Sequence, residues 1–208
     1  MEHEEFRKRK GDDRAFDRVG RTAAEPKLPL EFDAGYRVLL DKDHLTEGLK
    51  PAIYKAYIPR PPSEAEYQTV IEVFFLETTY VAKLLWRDGL MAAKHILDEF
   101  MKQEHLRPML EWHLEIEHKW SLKPGPYGRG LKKWLRHDLW TELENTYTGA
   151  ELEANWEAIF RTMALFRKVA GKVGERLGFS YPEELDRRTM AYLLKVKNLD
   201  PGAERFCQ

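Results

Sequence analysis

Two aspartates one residue apart, in Asp41-Lys42-Asp43, follow a short apolar run and have the spacing of a paired-carboxylate metal site. On a strand such carboxylates share one side, and together they hold divalent metals that position a nucleoside triphosphate for in-line attack. That chemistry also requires a Gly-Ser turn to cradle the phosphates and a third carboxylate on a neighbouring strand. Gly11, Gly20 and Gly35 are not followed by Ser, so the run is read as a solvated strand terminus.

A second cluster is His113-Leu114-Glu115-Ile116-Glu117-His118. On a helix, Glu115 and His118 have the Glu-x-x-His spacing of di-iron bundles, which need a second such motif and two further glutamates from facing helices. No second motif is present, and His113 and His118 point to different faces at five-residue spacing, so a polar helix surface is the expectation. Arg107 and His113 make an Arg-x5-His arrangement that resembles helical ribonucleases of the HEPN type, in which such a pair stabilises a phosphorane and shuttles protons. Lys83, and Lys132-Lys133 behind a Gly-rich loop that carries Arg129, are cations able to neutralise a phosphate. Trp112, Trp120, Trp134 and Trp140 are read as core or rim aromatics.

The elements that must position these groups are helical. Ser63-Glu64-Ala65-Glu66 is a capping box, and Tyr67, Val70, Ile71, Phe74, Thr78, Val81 and Leu85 recur behind it at three- and four-residue steps. Asp88-Gly89 interrupts the pattern. A second helix carries Met91, Ile96, Phe100 and Met101, and a third is expected to start near Pro108 with Leu110, Leu114 and Ile116. Lys123-Pro124-Gly125-Pro126-Tyr127-Gly128 is a loop by composition. Capping boxes at Thr148–Glu151 and Ser180–Glu183 predict a long helix through Trp156, Phe160, Leu165 and Val169, closed near Gly178, and a final one. Upstream, Tyr36-Arg37-Val38-Leu39-Leu40 reads as the one strand, and Pro51, Pro59, Pro61 and Pro62 mark a connector. The expected fold is mainly α: an irregular bundle of five or six helices preceded by a short extended segment. The expected divisions are a charged, mobile arm over 1–35, the extended segment and Pro-rich connector over 36–62, the helical domain over 63–200 and a tail over 201–208.

The totals restrict function. With 208 residues, 43% hydrophobic and 33% charged, the chain supports one packed domain with a solvated surface. A formal net charge of -1 lacks the electrostatic footprint of a nucleic-acid binder. The single cysteine, Cys207, permits neither a disulfide framework nor a Cys-rich zinc site. The first residues have no apolar run behind them, and no stretch reaches the ~20 apolar residues of a membrane span. The expectation is a cytoplasmic protein with no membrane partner; oligomeric state is left open.

Six stretches carry a family resemblance: Tyr36–Asp43 (YRVLLDKD), Phe75–Arg87 (FLETTYVAKLLWR), Arg107–His113 (RPMLEWH), Lys123–Leu135 (KPGPYGRGLKKWL), Ala164–Lys168 (ALFRK) and Glu175–Pro182 (ERLGFSYP). Together, in this order from about Tyr36 to Lys197, they resemble the streptomycin (aminoglycoside) 6-adenylyltransferase family. The resemblance implies a helical domain that closes a cleft over ATP and the antibiotic, with magnesium and ATP serving the intact enzyme. It implies Lys83, Lys132 and Arg129 as phosphate contacts, and Glu77, Trp112 and Tyr127 as residues lining the aminoglycoside cleft. An acidic group such as Glu77 suits a di-guanidinium antibiotic through charge-assisted hydrogen bonds. The family's Gly-Ser turn and metal-binding carboxylates are not found before Tyr36. The expectation is therefore a chain that holds no catalytic residue and no metal, binds no cofactor by itself, and is inactive unless a catalytic domain is supplied. The alternatives are a non-enzymatic helical binding module and a HEPN-like ribonuclease.

Overall fold

The computed structural model describes residues 28–56 and 58–200. The charged arm up to residue 27, with Gly11 and Gly20, and the tail with Cys207 lie outside the described residues. The chain divides into two compact units, Met1–Ala56 and Tyr57–Gln208.

In the first unit a 3-10 turn, Leu30–Ala34, leads into irregular backbone. Asp33 organises it: its carboxylate accepts the backbone N–H groups of Ile53, Tyr54, Lys55 and Ala56. Tyr36–Leu40 is not the expected strand, and no strand occurs among the described residues. A ladder needs a second chain segment to satisfy its backbone. Here Leu39 and Leu40 stay 87% and 73% exposed, so neither face of the alternation is covered. Asp41 has a local task instead of a metal. It accepts from the Leu45 and Thr46 amides and from the Thr46 hydroxyl, closing the turn behind it.

The second unit is a mainly α, irregular helical bundle. Helix α1 (Glu64–Trp86) begins at Ser63 with both bonds of the capping box in place. Its buried face, from Tyr67 through Ile71, Phe74, Phe75, Thr78 and Val81 to Leu85, follows the predicted spacing. Asp88, at a φ of 58°, turns the chain into α2 (Leu90–Lys94). A π-helical segment, His95–Leu106, follows and runs without a break into α3 (Arg107–Glu117).

The α-helix expected near Pro108 thus starts at Arg107, as the continuation of a rod that changes register there. In α register the proline ring would meet the carbonyl of Glu104. The widened turns pass that obstacle: the Arg107 N–H reaches back to the Lys102 carbonyl. The next carbonyl in that register belongs to Gln103, which Pro108 has no N–H to serve. Arg107 Nε takes it at 3.0 Å.

Beyond the loop come α4 (Leu131–Trp134), α5 (His137–Glu144), α6 (Leu152–Leu177) and α7 (Glu183–Lys197). Helix α6 packs on α1, α3 and α5, and α7 packs on α1. At the centre the Phe74 and Phe166 rings stack at 3.7 Å. The two later capping boxes do not form. Helix α6 starts from Glu151 and α7 from Pro182, neither with a side-chain cap. The carbonyl of Thr148 accepts from Lys94 Nζ and that of Ser180 from Gln68 Nε2, so both turns carry long-range contacts. Gly178 does close α6, in the left-handed conformation. No helix among the described residues is long and apolar enough to cross a membrane.

Candidate functional site

The π segment, the start of α3, the 126–128 turn and α5 enclose a pocket of about 220 Å³. That is room for a single six-membered ring with its substituents, below the range of whole drug-sized sites. Tyr127, Trp140 and Tyr147 contribute aromatic walls, Leu110, Leu131 and Leu143 apolar ones, and Lys102, Gln103, Arg107 and Glu144 the polar groups.

Lys102 and Gln103 come from the π segment, Arg107 from α3 and Glu144 from α5. The Lys102 ammonium is buried and donates to Asp98 Oδ1 and to the Thr146 carbonyl, each at 2.7 Å, while lying 4.1 Å from the Tyr147 ring centroid. Burial lowers the pKa of this lysine, and Asp98 opposes that shift. Arg107 pairs with Glu111 at 3.0 Å, one helical turn on. Burial raises the Glu111 pKa, and the guanidinium opposes it. Lys132 lies 3.5 Å from Glu144 and 5.3 Å from the Trp140 ring centroid. Trp140 Nε1 and Gln103 Oε1 are buried without a hydrogen-bond partner.

The loop is shaped by backbone that only a few residues tolerate. Tyr127 has φ 56° and is 84% exposed at the pocket mouth, and Gly128, beside it, has φ 68°. A Cβ on Gly128 would stand 2.8 Å from Leu131 Cδ1 and 3.1 Å from Arg107 Cδ. The amide of Gly130 closes the loop onto the Pro124 carbonyl.

Among the residues singled out in the sequence, Tyr127 lines this pocket, Lys132 borders it through Trp140 and Glu144, and exposed Arg129 lies on the same loop. The other three lie elsewhere. Lys83 sits over the Tyr80 ring on α1. Trp112 is half-buried against the core. Glu77 faces His105 Nε2 at 3.0 Å between α1 and the π segment; burial raises its pKa, and His105 counters it. Arg107 and His113 do not form a pair. Arg107 is committed to Gln103 and Glu111, whereas buried His113 has Glu117, Lys172, Arg136 and Arg176 as its charged neighbours. Among the described residues no group of three His, Cys, Asp or Glu side chains is placed to hold a metal ion.

The sequence reading missed Lys102, Gln103, Glu144 and Tyr147. The one local signal was the Lys94-Asp98-Lys102 series at four-residue steps, in which Asp98 does meet both lysines.

A model of the streptomycin adenylyltransferase family matches residues 16–196, beginning before Tyr36. The chain is 30% identical over 151 residues to the aminoglycoside 6-adenylyltransferase of Bacillus subtilis (strain 168), covering 73% of this chain and 53% of that protein. It is 29% identical over 179 residues to the aminoglycoside 6-adenylyltransferase of Campylobacter jejuni, covering 82% and 61%. The crystal structure of an aminoglycoside 6-adenyltransferase from Bacillus subtilis superposes with a TM-score of 0.63 at 28% identity, over 67% of this chain and 52% of that one. The chain thus spans little more than half the length of these relatives. With the family pattern running across most of its residues, the protein belongs to the streptomycin adenylyltransferase family.

Proposed function

We propose that this chain provides the helical wall of an aminoglycoside 6-adenylyltransferase site, holding part of the antibiotic while an adenylyl group passes from ATP to a ring hydroxyl and pyrophosphate leaves. The observation that carries the reading is the ring-sized pocket behind Tyr127, set within the stretch that matches the family. Aromatic faces and the Glu144 carboxylate suit a hydroxylated, cationic ring. In this reading Tyr127 faces the antibiotic and Arg129 and Lys132 serve the triphosphate, while Glu77, Trp112 and Lys83, which lie away from the pocket, take no part in it.

ATP and magnesium are the implied cofactors. The described residues do not fit the metal, because no three suitable side chains converge. We therefore assign the described residues no metal-dependent step and no catalytic residue, and expect no transfer by this chain alone. Phosphoryl chemistry rests on charge neutralisation and positioning, which basic side chains without the metal do not complete. The partners are the antibiotic and ATP, with neither nucleic acid nor membrane, and we place the protein in the cytoplasm, where its single cysteine finds a reducing environment.

Calorimetry with streptomycin and ATP, alongside transfer of radiolabel from ATP to streptomycin, tests the proposal. The expected result is streptomycin binding without transfer. Labelled streptomycin would overturn the inactivity. Absence of streptomycin binding would overturn the antibiotic-wall reading itself.

A further inference from the structure

We infer that Trp140 and Glu144 form a recognition site for a ligand cation, a guanidinium or ammonium, and that Lys132 occupies it as a surrogate in the free protein. Three cations border the pocket, and their partners differ in strength. Lys102 is locked by Asp98 and the Thr146 carbonyl, with its side chain almost wholly buried. Arg107 is bound to Glu111 and the Gln103 carbonyl. Lys132 has only a 3.5 Å approach to Glu144 and a 5.3 Å approach to the Trp140 ring, with the lysine and glutamate side chains 69% and 53% exposed. An exposed pair of that geometry is weak and opens readily.

The two groups that Lys132 touches are the two that a ligand cation would use: an aromatic face and a carboxylate. With Asp98 and Glu111 already matched to Lys102 and Arg107, moving Lys132 aside leaves Glu144 as the uncompensated charge at the rim. The remaining wall suits the ring that bears the cation. Tyr127 and Tyr147 add further aromatic faces, and Leu110, Leu131 and Leu143 an apolar floor. A displaced Lys132 is then free to turn toward an anion, which reconciles this inference with its proposed phosphate contact.

The choice of antibiotic as ligand rests on the function proposed above; the cation site itself does not. The experiment therefore has two arms on the 208-residue protein. In the first, calorimetry measures streptomycin affinity for wild type, Lys132→Ala, Glu144→Gln and Trp140→Leu. Losing a surface surrogate worth one exposed cation–π contact tightens binding about two- to fivefold in Lys132→Ala. Glu144→Gln and Trp140→Leu weaken it, and Lys132→Ala gains nothing in the Glu144→Gln background. In the second, methylguanidinium is titrated while the Trp140 indole N–H resonance is followed, assigned with Trp140→Phe. The resonance shifts at lower concentration in Lys132→Ala than in wild type.

A streptomycin affinity that falls or stays level in Lys132→Ala overturns the surrogate. If streptomycin does not bind but methylguanidinium moves Trp140 more readily in Lys132→Ala, the antibiotic reading fails and the cation site stands. A resonance unmoved by methylguanidinium in both proteins overturns the site.

Discussion

The carboxylate of Glu115, wholly buried on α3, accepts the backbone N–H of Leu122 at 3.1 Å. That bond closes a turn in which Lys119 and Trp120 both have left-handed φ values, of 54° and 58°. Non-glycine residues adopt this region at a cost of about 1 kcal/mol each. The turn persists because the Trp120 and Leu122 amides both end on Glu115, one on its carbonyl and one on its side chain. The pocket loop begins immediately afterwards, so α3 sets where that loop starts.

Glu115→Ala removes the acceptor and strands the Leu122 amide, an expected loss of about 1–3 kcal/mol in urea unfolding. Glu115→Gln keeps an oxygen at the same place and loses less than half as much. Equal losses in the two variants would show that the Leu122 bond does not hold the turn.

The first cap of α1 has a pH signature. Glu66 is pulled down to about 2, first by its hydrogen bond with Arg60 and then by the Ser63 amide and hydroxyl. A depressed carboxyl contributes stability that is fully present above its unfolded value and is lost as pH falls through the folded one. For Glu66 the window runs from 4.5 down to about 2. Hydrogen exchange in the first turn of α1 should stay slow at pH 6, after correction for intrinsic rates, and speed up across that window. Arg60→Ala should flatten the response. Protection that ignores pH in the wild type would remove Glu66 from this role. Ser63→Ala is expected to cost about 1 kcal/mol at neutral pH, measured by thermal unfolding.

This cap was legible in the sequence because both of its partners lie within four residues. The boxes at Thr148 and Ser180 do not form, and both turns carry contacts that no local pattern states: Lys94 and Gln68 donate to those carbonyls from positions 54 and 112 residues away. The same limit hid the pocket. Lys102 sits in a segment, His95–Leu106, whose polar residues look like a solvated face, and its burial is decided by the carbonyl of Thr146, 44 residues on. Tyr36–Leu40 failed for a different reason. Alternation marks a segment able to pair, and nothing local states whether a partner strand exists. The bundle itself was readable from apolar spacing on α1 and α6, where burial is dense enough for periodicity to dominate.

Besides its packing on α1, helix α7 is tied to α6 through one carboxylate. Asp186 accepts from Arg167 Nε and Nη2 on α6, and from the Tyr181 hydroxyl in the preceding turn. Its own side chain is 6% exposed while that of Arg167 is 43% exposed, so one partner is buried and the other half-solvated. Asp186→Ala leaves the Tyr181 hydroxyl and the guanidinium unpaired. The expected destabilisation is about 2–3 kcal/mol, at the low end for a broken buried pair because Arg167 recovers water. Arg167→Met should cost more, since it leaves the buried Asp186 charge with only the Tyr181 hydroxyl on Oδ2 and no partner on Oδ1. Chemical denaturation with tryptophan emission measures both, and an Asp186→Ala cost above that of Arg167→Met would reverse the assignment.

Two glycines in the pocket loop separate backbone strain from wall packing. Gly125 and Gly128 both have positive φ, 80° and 68°, so a side chain is strained at either position. Their surroundings differ. A Cβ on Gly125 meets only Arg129 Cβ, at 3.7 Å, an ordinary contact. A Cβ on Gly128 collides with Leu131 at 2.8 Å and presses on Arg107 at 3.1 Å, both of which line the pocket. Each alanine variant should therefore lose about 1–2 kcal/mol of stability to backbone strain, read from urea midpoints. Only Gly128→Ala should also lose streptomycin affinity, by about tenfold or more on the scale of a shifted apolar wall and a displaced guanidinium. If Gly125→Ala weakens streptomycin binding as much, the antibiotic is sensing the loop's conformation, and the wall between Arg107 and Leu131 is not what holds it.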